Sequence, residues 1–427
     1  MYYLLLEPKL PVYLSYISEV QVYKMLSSYQ VNNSPVNSHL HGLRLNNSPL
    51  NSQISQISSS QSSPVSRLDN YHLSVIESLF DIARNIEISA DFSIQHPQYQ
   101  PFAIPSTVAQ RFRHNSPDLQ QKYLNLLLRN FLHGIYYNGA LQPILSTNNQ
   151  QCGHLLTNGL EPNYKLGVDR NFYQQLHENN HGIGNYDAEW EVLRTEPDGT
   201  IAVMKNNLTL YVEPECYLKS NRSPTPGNLI GIWMPKNRLQ NGCYIAVGNC
   251  NQQHLSHNHN INYYSKKIVK IYFNITPSGA IALMNILTKR LNDASIPFSF
   301  EVLYNPISYR RYDTATLHFN CQDYPAIRKI LEPTYLETEI YFQPQIPLFT
   351  KYLAPGLSLA EEPNQKFSPE ESFGMNRCQI IANALLEAWQ KGKNAIEERI
   401  QIIQQHFASQ LIDLHYPYLN PSSQDVY

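Results

Sequence analysis

Titratable side chains that could do chemistry are spread along the last third of the chain. Lys270 and Tyr272 lie two apart in "KIYF", and Arg310, Arg311 and Asp313 share the stretch "NPISYRRYD". Lys351 stands in "PLFTKYLAPG" and Arg377 in "SFGMNRCQIIANALLEAW". Each alone reads as a surface cation; together they punctuate elements whose apolar pattern is otherwise ordinary. Arg377 is the odd one. It puts a cation close to a helix end whose bare N–H groups favour anions, and Gly374 weakens the same first turn.

Two strands allow a sharper inference. In "FSFEVLY", Phe298, Phe300, Val302 and Tyr304 form one face, and in "TATLHF" Ala315, Leu317 and Phe319 do the same. If the apolar faces coincide, Glu301 and His318 share the opposite face. A carboxylate and an imidazole there could exchange protons as an acid/base pair, or could be a cross-strand polar pair at a solvated surface.

Other constellations are weaker. "HLSHNH" gathers His254, His257 and His259, and "HENNHGIG" gathers His177 and His181 ahead of Gly182 and Gly184. No Cys or carboxylate completes a zinc spacing, so both read as loops and no metal is expected. No GxSxG and no Walker-type phosphate loop occurs, and no cofactor is expected.

The elements that must position these groups can be read from periodicity. Residues 1–66, with "NNSPVNS" returning as "NNSPLNS" in a Ser/Asn/Gln/Pro stretch, read as a low-complexity and mostly disordered segment, and Met25 is a candidate start. A helical part follows over 67–142. In it, "YHLSVIESLFDIARNI" carries an apolar stripe, and a second helix has Ser116 as cap, Pro117 at its first position and Gly139 as its stop. Over 143–266 the pattern is a β-meander with loops, with an Asp198-Gly199 hairpin signal and strand–turn–strand in "LIGIWMPKNRLQNGCYIAVG". The part 267–427 reads as strand 267–275, helix 277–292, strands 298–304 and 314–319, helix 323–332, a Pro-rich crossing segment, and helices near 372–390 and 394–410. Antiparallel strands and helices in blocks make the class α+β, with 67–427 forming one compact unit.

Composition narrows the function classes. Hydrophobic residues make up 42% and charged residues 15% of 427, so the surface relies on neutral polar groups, thirty tyrosines among them. A net charge of -2 with no basic run argues against nucleic-acid binding. Six cysteines in no CxxC pair suit reduced thiols and a cytoplasmic setting. Glu7, Pro8, Lys9 and Pro11 interrupt the apolar N-terminus, so neither a signal peptide nor a membrane span is expected.

"KIYFNITPSGAIALMNILTKRLNDASIPFSFEVLYNPISYRRYDTATLHF" and "PLFTKYLAPGLSLAEEPNQKFSPEESFGMNRCQIIANALLEAW" resemble the HopA effector family. That family is known from a type III secretion effector of plant pathogens and extends to cyanobacteria. The resemblance covers 267–427 most fully, continues over 169–248 and at "QQKYLNLLLRNFLHGIYYNG", and stops near residue 70. Some members serve as lyase subunits of split, class V lanthipeptide synthetases. There a separate kinase phosphorylates Ser or Thr of a ribosomal peptide and the lyase eliminates the phosphate; the plant-pathogen member is not established as an enzyme.

The resemblance implies a phosphate site. Tyr309, Arg311 and Asp313 match its Y-x-R-x-D, Lys351 its F-T-K, and Ser372, Phe373, Gly374 and Arg377 its S-F-G-x-x-R. On that reading Lys270, Arg311, Lys351 and Arg377 hold phosphate. The helix begins at Ser372, Gly374 lets the ligand approach bare amides, and Arg377 adds a fork. The competing start, the capping box Ser368-Pro369-Glu370-Glu371, would make Arg377 structural. Two positions depart from the family, which has lysine in place of Glu301 and tyrosine in place of His318. Either these two residues have jointly replaced the usual acid/base groups, with Tyr272 orienting them, or the copy retains only binding. The implied partners are a phosphorylated peptide or protein and a kinase, or else a polypeptide bound without turnover; neither nucleic acid nor membrane is implied.

Overall fold

The computed structural model describes residues 64–103, 116–146, 168–218, 224–240, 242–250, 267–369 and 371–427. The chain divides into two compact units. One comprises Met1–Leu68 with Gln151–Glu161, of which only the start of a helix is described, and the other Asp69–Gln150 with Pro162–Tyr427. The low-complexity segment up to residue 63, Met25 and the histidines of "HLSHNH" lie outside the described residues.

The larger unit is α+β and is built on a seven-stranded sheet. Its strands are β8 (Asn237–Gln240), β9 (Cys243–Val247), β10 (Ile268–Phe273), β11 (Ser299–Leu303), β12 (Ala315–Asn320), β13 (Lys351–Ala354) and β14 (Leu357–Glu361), in the order β13-β14-β10-β12-β11-β9-β8, all neighbours antiparallel. Alternation decides the faces. Val269, Ile271 and Phe273, Phe300 and Val302, and Ala315, Leu317 and Phe319 point to one side. There they meet Phe172 and Leu176 of α4 (Arg170–Asn179), Leu283, Met284 and Leu287 of α6 (Pro277–Asp293), and Ile327 and Leu331 of α7 (Tyr324–Thr338). Thr276 caps α6 by accepting from the Gly279 N–H, with Pro277 at the first helical position, which fixes where the chain turns from strand to helix.

The opposite face meets a second helical layer. α2 (Pro117–Leu132) packs against α8 (Phe373–Gln390), and α8 against α9 (Ile396–Ser409). Phe373 of α8 tilts onto Tyr272 of β10 at 6.5 Å between ring centroids. α2 does not run on regularly to Gly139. It widens into a π-helical turn, His133–Tyr137, closed by Asn138 N–H donating to His133 O, and Gly139 then takes φ 71°. Such turns add a residue to the helical ladder and occur often at functional sites.

Elsewhere α1 (Pro64–Asn85) starts earlier than its apolar stripe shows, and α3 (Gln142–Leu145) and α5 (Pro214–Tyr217) are short four-residue helices. A three-stranded sheet that periodicity does not announce follows it, from β1 (Glu87–Ile88), β2 (Ile94–His96) and β3 (Tyr99–Phe102). β4 (Asn185–Thr195), β5 (Ile201–Lys205), β6 (Leu208–Val212) and β7 (Leu229–Met234) form a four-stranded sheet of order β6-β5-β4-β7 around Trp190, Val192, Ile201 and Val203. Gly199 turns the β4–β5 hairpin at φ 87°. "LIGIWMPKNRLQNGCYIAVG" is therefore not one strand–turn–strand unit: its first strand, β7, joins the small sheet, and β8 and β9 join the large one. The Pro-rich crossing segment is likewise a hairpin, β13–β14, turned at Pro355-Gly356 with Gly356 at φ 70°.

Candidate functional site

The three central strands of the large sheet bring four of the singled-out residues onto the face that looks toward α2 and α8. Lys270 pairs across β10–β12 with His318, which pairs across β12–β11 with Ser299; one step along, Tyr272 pairs with Thr316 and Thr316 with Glu301. These six positions form two adjacent rows. Glu301 and His318 sit on the diagonal, with His318 Nε2 3.4 Å from a Glu301 carboxylate oxygen. That separation suits charge attraction and is long for a hydrogen bond. Both side chains keep solvent contact, 18% for His318 and 29% for Glu301. Burial pushes the Glu301 carboxyl up, but His318 and Lys270 outweigh it and hold the group below the ordinary glutamate range.

Lys270 is shared with a residue that sequence reasoning missed. Its Nζ lies 2.7 Å from Glu362, just beyond β14, and the other Glu362 oxygen lies 2.5 Å from Lys366. Burial raises the Glu362 carboxyl, yet Lys270 and then Lys366 pull it below its usual value. The i,i+4 spacing of Glu362 and Lys366 is a local signal, but their meeting with Lys270 depends on β14 lying beside β10, which no local pattern encodes.

Tyr272 is nearly enclosed. Burial, then the charge of Glu362, drives its phenol far above the ordinary range, while Tyr137 from the π-turn donates to it. Tyr272 is thus a neutral hydroxyl that keeps its own proton for donation. Cys243, facing the same side at β9, has its thiol pushed up to about 12 by burial and then by Glu301, so it stays protonated.

Arg311 stands at the strand end beside these groups, clamped by Asp313 through both Nε and Nη2, the second contact at 2.7 Å. Asp313 also accepts from Asn138 at 3.4 Å, which ties the Y-x-R-x-D stretch to the π-turn. His133 lies over this group, stacked on Tyr137 at 4.9 Å. Burial, the largest influence, pulls its imidazole down to about 4 against the partial compensation of Asp313, so it is neutral at neutral pH.

The remaining residues are engaged otherwise: Lys351 leaves this face, and Ser372, Gly374 and Arg377 sit on the helix packed over it. Lys351 pairs with Leu359 and so belongs to the opposite, helix-packed side. Its Nζ is engaged by both Asp425 oxygens at 2.8 and 2.7 Å and by the Tyr427 carbonyl at 2.7 Å. Ser372 does cap α8, accepting from the Met375 N–H at 3.4 Å, while Ser368 and Glu371 only form the turn ahead of it. Beside Gly374, however, the space is filled by Tyr137: a Cβ there would stand 2.3 Å from its ring, so the missing side chain makes room for Tyr137. Arg377 is 1% exposed. It donates from Nε to Pro417 O at 2.8 Å, from Nη1 to Asn376 Oδ1 at 2.6 Å and from Nη2 to Leu419 O at 3.0 Å. Burial lowers it only to about 10, so it stays charged, and its place near the helix start serves to anchor the C-terminal segment. Ser372 thus caps α8, Gly374 makes room for Tyr137, and Arg377 and Lys351 are engaged by groups of the chain itself.

His177 and His181 part ways as well. His177 Nδ1 meets the Tyr244 hydroxyl at 3.2 Å, and His181 Nε2 meets Asn285 Oδ1 at 2.9 Å. Among the described residues no group of three His, Cys, Asp or Glu could hold a metal ion, and no helix is long and apolar enough to cross a membrane. The five described cysteines, 216, 243, 250, 321 and 378, are free.

Residues 234–419, which include the large sheet from β8 onward and helices α6 to α9, match the model of the HopA1 effector protein family. The chain is similar to the effector protein of Pseudomonas syringae pv. tomato strain DC3000, with 19% identity, TM-score 0.31, and 42% of this chain against 63% of that one. It is similar in the same degree to the effector protein of Pseudomonas syringae pv. syringae strain 61, with 18% identity, TM-score 0.31, and 42% against 62%. It thus spans less than two thirds of either solved protein. No curated protein matches it.

Proposed function

We propose that this HopA1-type region is a phosphate-eliminating lyase acting on phosphoserine or phosphothreonine in a peptide, in a cytoplasmic setting and with a separate kinase as the source of the phosphate. The observation that carries the reading is the placement of His318, Glu301 and Lys270 side by side on one partly exposed sheet face, with His318 Nε2 turned inward toward Glu301. His318 takes the Cα proton, and the ionised Glu301 stabilises the imidazolium that forms. The C–H electron pair becomes the Cα=Cβ bond, and the Cβ–O bond breaks with its pair leaving on phosphate. Lys270 and Arg311 meet the developing negative charge and Tyr272 donates its hydrogen bond. A positioned base contributes typically 10²–10⁴-fold, and one lost charge-stabilising donor costs roughly 3–4 kcal/mol of barrier. Incubation with a phosphothreonine peptide, read by mass spectrometry, tests this: a peptide lighter by one phosphoric acid is expected, and only intact phosphopeptide contradicts it.

A second reading, a protein-interaction module without turnover, is favoured by one observation. Lys270 and Arg311 each already face a carboxylate, Glu362 and Asp313, so the face is close to charge-balanced. Retention of intact phosphopeptide, or equal binding of its unphosphorylated form, would select this reading.

A further inference from the structure

The charge balance of this face depends on one carboxylate. Glu362 stands between two lysines, 2.7 Å from Lys270 and 2.5 Å from Lys366, and all three side chains are partly exposed, at 20%, 15% and 26%. Ala360 is the cross-strand partner of Lys270 on β14, so no bulky side chain walls Lys270 off there. Each carboxylate oxygen thus has its own lysine, Oε2 facing Lys270 and Oε1 accepting from Lys366. Other carboxylates hold less claim on Lys270: Glu301 feels its charge but pairs with His318.

We infer that Glu362 is the specificity-determining residue of the site, a built-in competitor that masks Lys270 from weakly charged groups. A phosphate dianion outcompetes one carboxylate for Lys270, and Glu362 then keeps its charge satisfied on Lys366. A monoanionic carboxylate or phosphodiester offers Lys270 no more than Glu362 already does and is excluded. The site is thereby reserved for phosphomonoesters over the acidic side chains of an unmodified peptide. This inference rests on the anion-binding part of the proposed reading and not on its elimination step.

The test is a double-mutant cycle read by calorimetric titration with inorganic phosphate, with acetate as the monoanionic probe. Glu362→Gln should tighten phosphate by about tenfold or more, since a like charge facing the ligand costs at least that much, and should admit acetate. Lys366→Ala should weaken phosphate several-fold in the native background, because Glu362 then has only Lys270 to pair with. It should change nothing in the Glu362→Gln background. Lys270→Ala should abolish binding in both. If Lys366→Ala weakens both backgrounds equally, Lys366 is a direct ligand and the gate is wrong; if Glu362→Gln leaves phosphate and acetate unchanged, Glu362 is no competitor. Should Glu362→Gln fail to fold, Lys366→Ala decides alone: unchanged phosphate affinity overturns the proposal. Intact coupling without phosphopeptide turnover would sink only the lyase reading, and turnover without coupling only the gate.

Discussion

His318 and Glu301 are 3.4 Å apart on a face they share only because the β11–β12 register sets them on a diagonal. Replacing His318 by Ala removes the proposed base, and phosphopeptide elimination should fall by about 10²–10⁴-fold while binding of the peptide persists. Arg377 gives the opposite expectation. Arg377→Ala strands the Pro417 and Leu419 carbonyls in the interior and should cost about 3–5 kcal/mol in denaturant unfolding. Gly374→Ala drives a methyl into the Tyr137 ring and should cost about 1–3 kcal/mol. His133 adds a pH signature. Its folded value of about 4 lies below its unfolded 6.5, so the unfolded chain takes up the proton first on acidification. Stability should therefore be full above pH 6.5, fall as pH drops toward 4, and lose on the order of 3 kcal/mol in all. His133→Gln should flatten that slope in pH-dependent unfolding.

At the level of elements, the π-turn and the β13–β14 hairpin decide what reaches the site. The π-turn brings Tyr137 to Tyr272 and, through Asn138, grips Asp313. The hairpin places Glu362 beside Lys270 and turns Lys351 away to Asp425. Lys351→Ala should accordingly lower the unfolding free energy by about 1–2 kcal/mol, through loss of a half-buried ion pair, and leave elimination intact in a phosphopeptide assay. Strands β10 to β12 and helices α6 to α8 were legible because apolar period, the Thr276-Pro277 cap and the Ser372 start are all local signals. Their faces were legible for the same reason, which is why Glu301 and His318 could be put together from sequence. The hairpin was obscured by the prolines around it, and Pro355-Gly356 was its one local mark. The π-turn left no periodic trace, and the fate of Arg377 depends on carbonyls forty residues away in sequence, which no local pattern encodes.

Over the whole molecule, the large sheet has helices on both sides, and the two sides are covered differently. α4, α6 and α7 seal the Val269–Phe300–Leu317 face with apolar side chains. The other layer meets its face chiefly through Phe373 and Tyr137 around Tyr272. Lys270, His318 and Glu301 are left at the margin of that contact, each only partly buried. Of the cations drawn from distant segments, Arg377 is taken up by the Pro417 and Leu419 carbonyls and Lys351 by Asp425, which leaves Lys270 and Arg311. The proposed function requires this smaller set to turn over a phosphomonoester. The most direct measurement is mass spectrometry of a phosphothreonine peptide incubated with the native protein and with the His318→Ala and Lys270→Ala variants. Loss of one phosphoric acid is expected with the native protein and its near-absence with both variants; intact phosphopeptide throughout, or equal turnover by all three proteins, would contradict the proposed elimination.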